Sequence, residues 1–301
     1  MARKHYDLKD KAVLITGAAR GIGAESARQM AKKGARVSLV GLEPEELEKV
    51  GAECGNGAVW FEADVTDRES LQRAIDGTVE QLGGIDVCMA NAGIAAGGLV
   101  HLMDPGAIDA VLRINLEGAA RTLRLCLPHV IERRGYLIPV ASAAAIAHTP
   151  GIAAYSATKA GIEAFANALR MEVRHKGVDV GVAYFAFIDT DMVRGTDEHE
   201  HFRQLREDQR GVLRKTYPVS AAGRAVAKGV ERRARWVCVP GWLKAMIVFR
   251  GPLMNLIEGQ AAKQMPDFER IALKEIEEIG IERSSAPVGA GGRAAETSVK
   301  T

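Results

Sequence analysis

Cysteine is scarce in this chain: Cys54, Cys88, Cys126 and Cys238 are the only four in 301 residues, each alone, with no C-x-x-C pair. That spacing predicts neither a disulfide framework nor a metal site, and idle thiols in a reducing, cytoplasmic setting are the expectation. Excess charge is missing too. Forty Lys and Arg stand against 38 Asp and Glu, a net charge of +2, so the field of the whole molecule offers nothing to a nucleic-acid partner. The first ten residues, Met1 to Asp10, carry charge but no apolar stretch, so no cleaved secretory signal is expected. The uncharged run Gly135–Thr158 is long enough to raise the question of a membrane span. Pro139, Pro150, Gly151 and many alanines argue against one.

What remains is an ordinary globular composition, 47% hydrophobic and 26% charged with 32 glycines, enough apolar side chain to bury a core. The length admits one large α/β domain or two smaller ones. Short apolar runs near Ala12–Thr16, Arg36–Val40, Ala58–Glu62, Asp86–Ala90, Tyr136–Ala141, Val178–Tyr184 and Trp236–Val239 read as strands. Between them, helical periodicity covers Gly21–Lys33, Glu45–Cys54, Arg68–Leu82, Ala107–Arg133, Ala154–Lys176 and Ser220–Arg233, the last with Ser220 as N-cap. The alternation predicts a single doubly wound, Rossmann-type α/β domain over residues 9–240. Its seven-stranded, mostly parallel sheet would carry helices on both faces. The polar stretch 190–218 is too long for a plain connector and reads as a lid. Residues 241–283 read as a helical extension. Its start, Gly241–Ile257, is an extra helix packed on the body or on a partner subunit, or, as the alternative, a peripheral membrane contact. The Gly/Ala/Ser-rich tail 284–301 is expected to be disordered.

Two constellations carry chemistry. After the first strand stands Thr16-Gly17-Ala18-Ala19-Arg20-Gly21-Ile22-Gly23, whose glycines permit a sharp turn, close approach of a pyrophosphate and tight helix packing, with free N–H groups facing the anion. Further on, Tyr155 and Lys159 stand four apart, on one face of a predicted helix. A phenol titrates near 10, and a fixed cation beside it favours the phenolate. A downward shift of about 2–3 units corresponds to roughly 3–4 kcal/mol.

The T-G-x-x-x-G-I-G loop resembles that of the short-chain dehydrogenase/reductase family, and the resemblance runs in register over about residues 9–240. Asp64-Val65 match the family's adenine contacts, Asn91-Ala92-Gly93 the motif closing the fourth strand, and Asn115, Ser142, Tyr155 and Lys159 the catalytic set. The resemblance implies an NAD(P)-dependent oxidoreductase interconverting a secondary alcohol and a carbonyl. Tyr155 would be general acid or base, Ser142 would hold the substrate oxygen, Lys159 would bind the nicotinamide ribose, and Asn115 would hold a water linked to Lys159. The Y-x-x-x-K spacing is unlike the wider one usual in enoyl reductases, and the loop is unlike that of extended sugar epimerases. The cofactor set it implies is Gly17, Arg20, Gly21, Ile22, Gly23, Gly41, Asp64, Val65, Asn91, Ala92, Gly93, Tyr155, Lys159, Ile188 and Thr190. Ile94, Ala143, His148, Phe187 and Met192 would wall a lipophilic substrate, with His148 at the rim. The resemblance also implies a homodimer or homotetramer, formed through the long helices Ala107–Arg133 and Ala154–Lys176, whose alanines would allow close approach.

Three departures stand out. Pro139 removes a donor from a central strand, which predicts a local bulge. Phe185-Ala186 replaces the family's usual Pro-Gly, with Thr190 still available to the nicotinamide carboxamide. Gly41 occupies the position where an acidic residue normally selects NAD, while Arg20 suits a 2′-phosphate and Glu43 opposes it, so NAD and NADP are left undecided. The departures also motivate an alternative, a dinucleotide-binding regulatory or scaffold protein with weak or no turnover.

Overall fold

The computed structural model describes residues 5–196, 199, 203, 211 and 214–299. The chain alternates β1 (Ala12–Thr16), α1 (Gly21–Ala31), β2 (Arg36–Gly41), α2 (Pro44–Cys54), β3 (Val59–Glu62), α3 (Arg68–Leu82) and β4 (Val87–Ala90). It continues through α4 (Pro105–Leu112), α5 (Ala119–Glu132), β5 (Tyr136–Pro139), α6 (Ala153–Val173), β6 (Asp179–Val180), β7 (Val182–Phe185) and α7 (Asp191–Thr196). Then come α8 (Val219–Glu231), β8 (Trp236–Val239), α9 (Leu243–Val248), α10 (Arg250–Ile279), α11 (Ile281–Ser284) and α12 (Gly289–Val299).

Six parallel strands form the main sheet in the order β3-β2-β1-β4-β5-β6, and β7 pairs with β8, also in parallel. Along each central strand, side chains alternate between two cores. Val13, Ile15, Val87 and Met89 pack under α1, α2 and α8, while Leu14, Cys88 and Ala90 face the α3, α5 and α6 layer. Both faces are covered, so these strands read as continuous apolar runs rather than polar–apolar alternation. The strand order reverses between β1 and β4, which opens a crevice at their carboxyl ends.

The expected doubly wound sheet is there, with one strand divided. The run Val178–Tyr184 splits at Gly181 into β6 and β7, and β7 continues alongside β5 through an Ala141 N–H to Ala183 O bond of 2.8 Å. Donors alternate sides along a parallel strand. Gly181 N donates to Leu137 O, Val140 N to Ala90 O and Ala141 N to Ala183 O, so the missing donor of Pro139 falls on the Gly181 side. The predicted bulge is absent, and the β4–β5 register runs unbroken to Ala90–Pro139. The ladder breaks in the neighbour instead. A Cβ at Gly181 would lie 2.0 Å from Tyr136 Oη and 2.3 Å from Ala234 O, so only glycine fits there.

Other expectations shift. The single helix read over Ala107–Arg133 is interrupted by a π-helical turn at Arg113–Gly118. The helix expected to be capped by Ser220 starts at Val219, with Pro218 at the cap position. Much of the expected lid, residues 197, 198, 200–202, 204–210, 212 and 213, lies outside the described residues. The tail expected to be disordered forms α12, because its glycines let the backbone press onto α7: the space for a Cβ at Gly195 is taken by Gly289 N, 2.6 Å away. Among the described residues no helix is long and apolar enough to cross a membrane.

Candidate active site

The loop after β1 is built for close approach. Gly17 has φ +63°, and a Cβ there would sit 2.7 Å from Ala92 Cα. A Cβ at Gly23 would collide with Gly17 O at 2.2 Å. Asn91, at the end of β4, ties the loop down. Its side-chain amide donates to Thr16 O at 3.0 Å and Gly17 O at 2.9 Å, while its own N–H reaches Thr16 Oγ1 at 3.1 Å. The first turn of α1 is thereby held open toward the crevice, the arrangement that suits a pyrophosphate. Asp64, after β3, accepts from Thr66 N at 2.7 Å and lines the same crevice with Val65.

On the opposite side, Ser142 follows β5 and Tyr155 and Lys159 share one face of α6. The Lys159 ammonium is buried and donates to Val140 O at 3.0 Å, lying 5.4 Å from the centre of the Tyr155 ring. Burial brings its pKa down to about 8. Burial pushes the Tyr155 phenol up, with the Ser142 hydroxyl working against that rise through a hydrogen bond. The sequence reading has Lys159 and the positive ring of an oxidised nicotinamide lower the phenol together; among the protein's own groups, burial is the dominant influence on both side chains. Asn115, in the π-helical turn, accepts from Ile94 N and donates to Ile94 O, both at 2.8 Å. Such turns recur at functional sites because they re-aim a side chain out of the helical register.

A cavity of about 230 Å³ joins the two halves. It is lined by Gly17, Arg20, Gly21, Ile22, Gly41, Asp64, Val65, Asn91, Ala92, Gly93, Ser142, Tyr155, Lys159, Ile188 and Thr190. Ile94 and Met192 line it as well. The model of the short chain dehydrogenase family matches residues 11–201. The chain belongs to that family. As a short-chain dehydrogenase it is an oxidoreductase that uses NAD(P). It is 30% identical over 272 residues to an 11-beta-hydroxysteroid dehydrogenase of Pinus massoniana, a match covering 84% of this chain and 73% of the relative. Levodione reductase superposes with a TM-score of 0.72 at 25% identity, over 79% of this chain and 99% of that one. A short-chain dehydrogenase/reductase from Burkholderia phymatum in complex with NAD gives 0.71 at 20% identity, over 80% and 93%.

Three sequence candidates stand apart from this short-chain dehydrogenase cavity. Ala143 opens a 3-10 turn and packs on the core, and Phe187 is not among the lining residues, its carbonyl accepting from Tyr217 N. His148 is exposed and borders a separate hollow between α6 and α10, its N–H meeting Met254 Sδ at 3.4 Å. Their place is taken by Ile114, Phe185 and Val193, and by the tail residues Val288, Gly291, Gly292, Ala294 and Ala295. Gly23 and Asn115 lie behind the wall and shape it. The tail was missed because glycine and alanine carry no chemical signature. The one available hint was the Gly-Ala-Gly-Gly run after Pro287, a composition suited to backbone contact as well as to disorder.

Arg20 is already engaged. Its guanidinium bonds Glu43 through two nitrogens, the Nε contact at 3.1 Å, and reaches Asp191 at 3.2 Å. Glu43 and Asp191 raise the pKa of Arg20, while Arg194, together with Arg20, holds Asp191 below the usual carboxylate range. Among the described residues no group of His, Cys, Asp and Glu could hold a metal.

Proposed function

We propose that this short-chain dehydrogenase interconverts a secondary alcohol and the corresponding ketone. In this reading Tyr155 is the proton-transfer residue, Ser142 the partner of the substrate oxygen, and Lys159 the cation that favours the phenolate. The observation carrying it is the meeting of Ser142, Tyr155 and Lys159 in the cavity that also holds the glycine loop. The residues present fit a nicotinamide dinucleotide: Gly17 and Gly23 leave room that a Cβ would fill, and Asn91 fixes the loop that would face the pyrophosphate. When bound, the nicotinamide supplies or accepts the hydride. The chain's own part is to place Tyr155 and Ser142 at the substrate oxygen, keep water from that oxygen, and pass a proton through the Tyr155 hydroxyl. Asn115 and Val140 position Ile94 and Lys159 around it.

The lip of the cleft favours NAD. One guanidinium, Arg20, sits between two carboxylates, Glu43 and Asp191, so a 2′-phosphate would meet net negative charge and a cation already paired. The substrate side is apolar, with Ile94, Ile114, Met192 and Val193. This suits a lipophilic alcohol or ketone, in keeping with the steroid named for the pine relative.

The catalytic unit is taken as residues 9–240, followed by the helical extension. Exposed Phe165 and Met171 on α6 support self-association as a dimer or tetramer, and exposed Val248 and Phe249 at the end of α9 support a peripheral membrane contact. The free cysteines fit a cytoplasmic setting. The test is a panel of lipophilic secondary alcohols and ketones with NAD and NADP, followed by nicotinamide absorbance. Turnover on at least one pair supports this reading. Tight NADH binding with no turnover on any favours the regulatory alternative.

A further inference from the structure

The C-terminal segment closes the open side of the dinucleotide cleft. After α11 the chain is pinned to the loop that follows β4, where Asp104 N donates to Ser285 Oγ at 3.1 Å and Val288 N to Ala95 O at 2.9 Å. Ser285 and Val288 are both buried. The helix α12 then presses backbone to backbone on α7. Gly289 takes φ +77°, and a Cβ there would lie 2.8 Å from Asp191 O, while one at Gly195 would lie 2.6 Å from Gly289 N. A glycine on each side of one contact leaves no room for either to be anything larger. Beyond it, Gly291 faces Arg20, with 3.7 Å between its ideal Cβ and Arg20 Cδ, and Ala295 enters the core.

These residues share one cavity with Gly17, Tyr155 and Lys159. The other walls are strand ends and the loops they hold, fixed by the sheet. The tail is different in kind. It returns from a 30-residue helix, α10, and meets the cleft through one main-chain donor, Val288 N, one hydroxyl acceptor, Ser285 Oγ, and small side chains, none of them part of the sheet ladder.

We propose that Val288–Ala295 is a cover of the cofactor site supplied by the chain itself, lying over a bound nicotinamide dinucleotide and lifting for its exchange. The proposal rests on the reading that the cleft holds the dinucleotide. The segment lies far from the glycine loop in sequence, so it adds a layer to the site that the loop, Asp64 and Asn91 do not provide. An ordered cover slows both entry and escape of the cofactor, while a freely lifting one sets the exchange rate.

The full-length variant Gly289→Val tests this. A Cβ at Gly289 would lie 2.8 Å from Asp191 O on a backbone with φ +77°, so the substitution forces the segment off α7. Stopped-flow mixing with NADH should then show association and dissociation both faster by at least about tenfold. Unchanged rates overturn the proposal. In the unaltered chain, NADH should slow amide exchange across residues 288–295, and unchanged exchange likewise contradicts it. Gly23→Val separates the two layers of the argument. Loss of NADH binding upholds the cleft as the dinucleotide site, so that unchanged rates in Gly289→Val would sink the cover alone. Undiminished binding in Gly23→Val overturns the site reading and the cover with it.

Discussion

Asn115 and Ile94 are joined by a reciprocal pair of hydrogen bonds, each 2.8 Å, between one side-chain amide and both main-chain polar groups of one residue. The pair links the π-helical turn between α4 and α5 to the loop after β4, and Gly93 lies between Asn115 and Lys159. Asn115 is buried, so water does not compensate for its loss.

Asn115→Ala therefore strands a buried N–H and a buried C=O. Each stranded group costs about 1–3 kcal/mol, so a loss of roughly 2–6 kcal/mol is expected in urea unfolding. Asn115→Asp, which keeps the acceptor, should fall between the two. A loss below about 1 kcal/mol for the alanine variant would show that the pair does not organise this region.

Arg20 is the second point of leverage. Glu43→Gln removes one of the two carboxylates on the Arg20 guanidinium, leaving Asp191 as its only ion-pair partner among the described residues and lowering the negative charge a 2′-phosphate would meet. The ratio of kcat/KM with NADP to that with NAD should rise by at least about tenfold, the equivalent of about 1.4 kcal/mol. An unchanged ratio would place the discriminating group elsewhere.

The pH dependence follows from two burials of opposite effect. On the proposed mechanism, ketone reduction needs Tyr155 protonated and Lys159 charged. The raised phenol stays protonated through neutral pH, so the lysine, at about 8, sets the limit. With saturating NADH, kcat/KM for reduction should be level below about pH 7 and decline above about pH 8. Stability runs the other way. The folded pKa of Lys159 lies below the ordinary lysine value, so between about 8 and about 10.4 the unfolded chain holds more protons. This one group then makes the folded state more stable as pH rises through that window. A reduction profile flat to about pH 10 would contradict the role given to Lys159.

Much of this was legible in the sequence, for reasons that differ by residue. Val13-Leu14-Ile15 and Val87-Cys88-Met89 announced a sheet covered on both faces because fully buried strands must be apolar on both sides. Tyr155 and Lys159 announced themselves because four residues make one helical turn. The break at Gly181 did not show, since it depends on a donor missing from Pro139 one strand away and on the Tyr136 hydroxyl filling the space. His148 was placed at the cleft by its nearness to Ser142 in sequence, yet the turn after β5 carries it to the far side of α6. The tail escaped because its role rests on having no side chain at all. The direction of the Tyr155 shift needed the structure too, since spacing gives the distance to a cation but not the depth of burial.

The central claim is that the Tyr155 hydroxyl carries the proton. The decisive measurement is the turnover of Tyr155→Phe on an accepted alcohol, with NADH binding measured on the same protein. The account predicts a loss of about 100-fold or more in kcat with NADH affinity and the unfolding midpoint little changed. Turnover near that of the unaltered enzyme would place the proton transfer on another group.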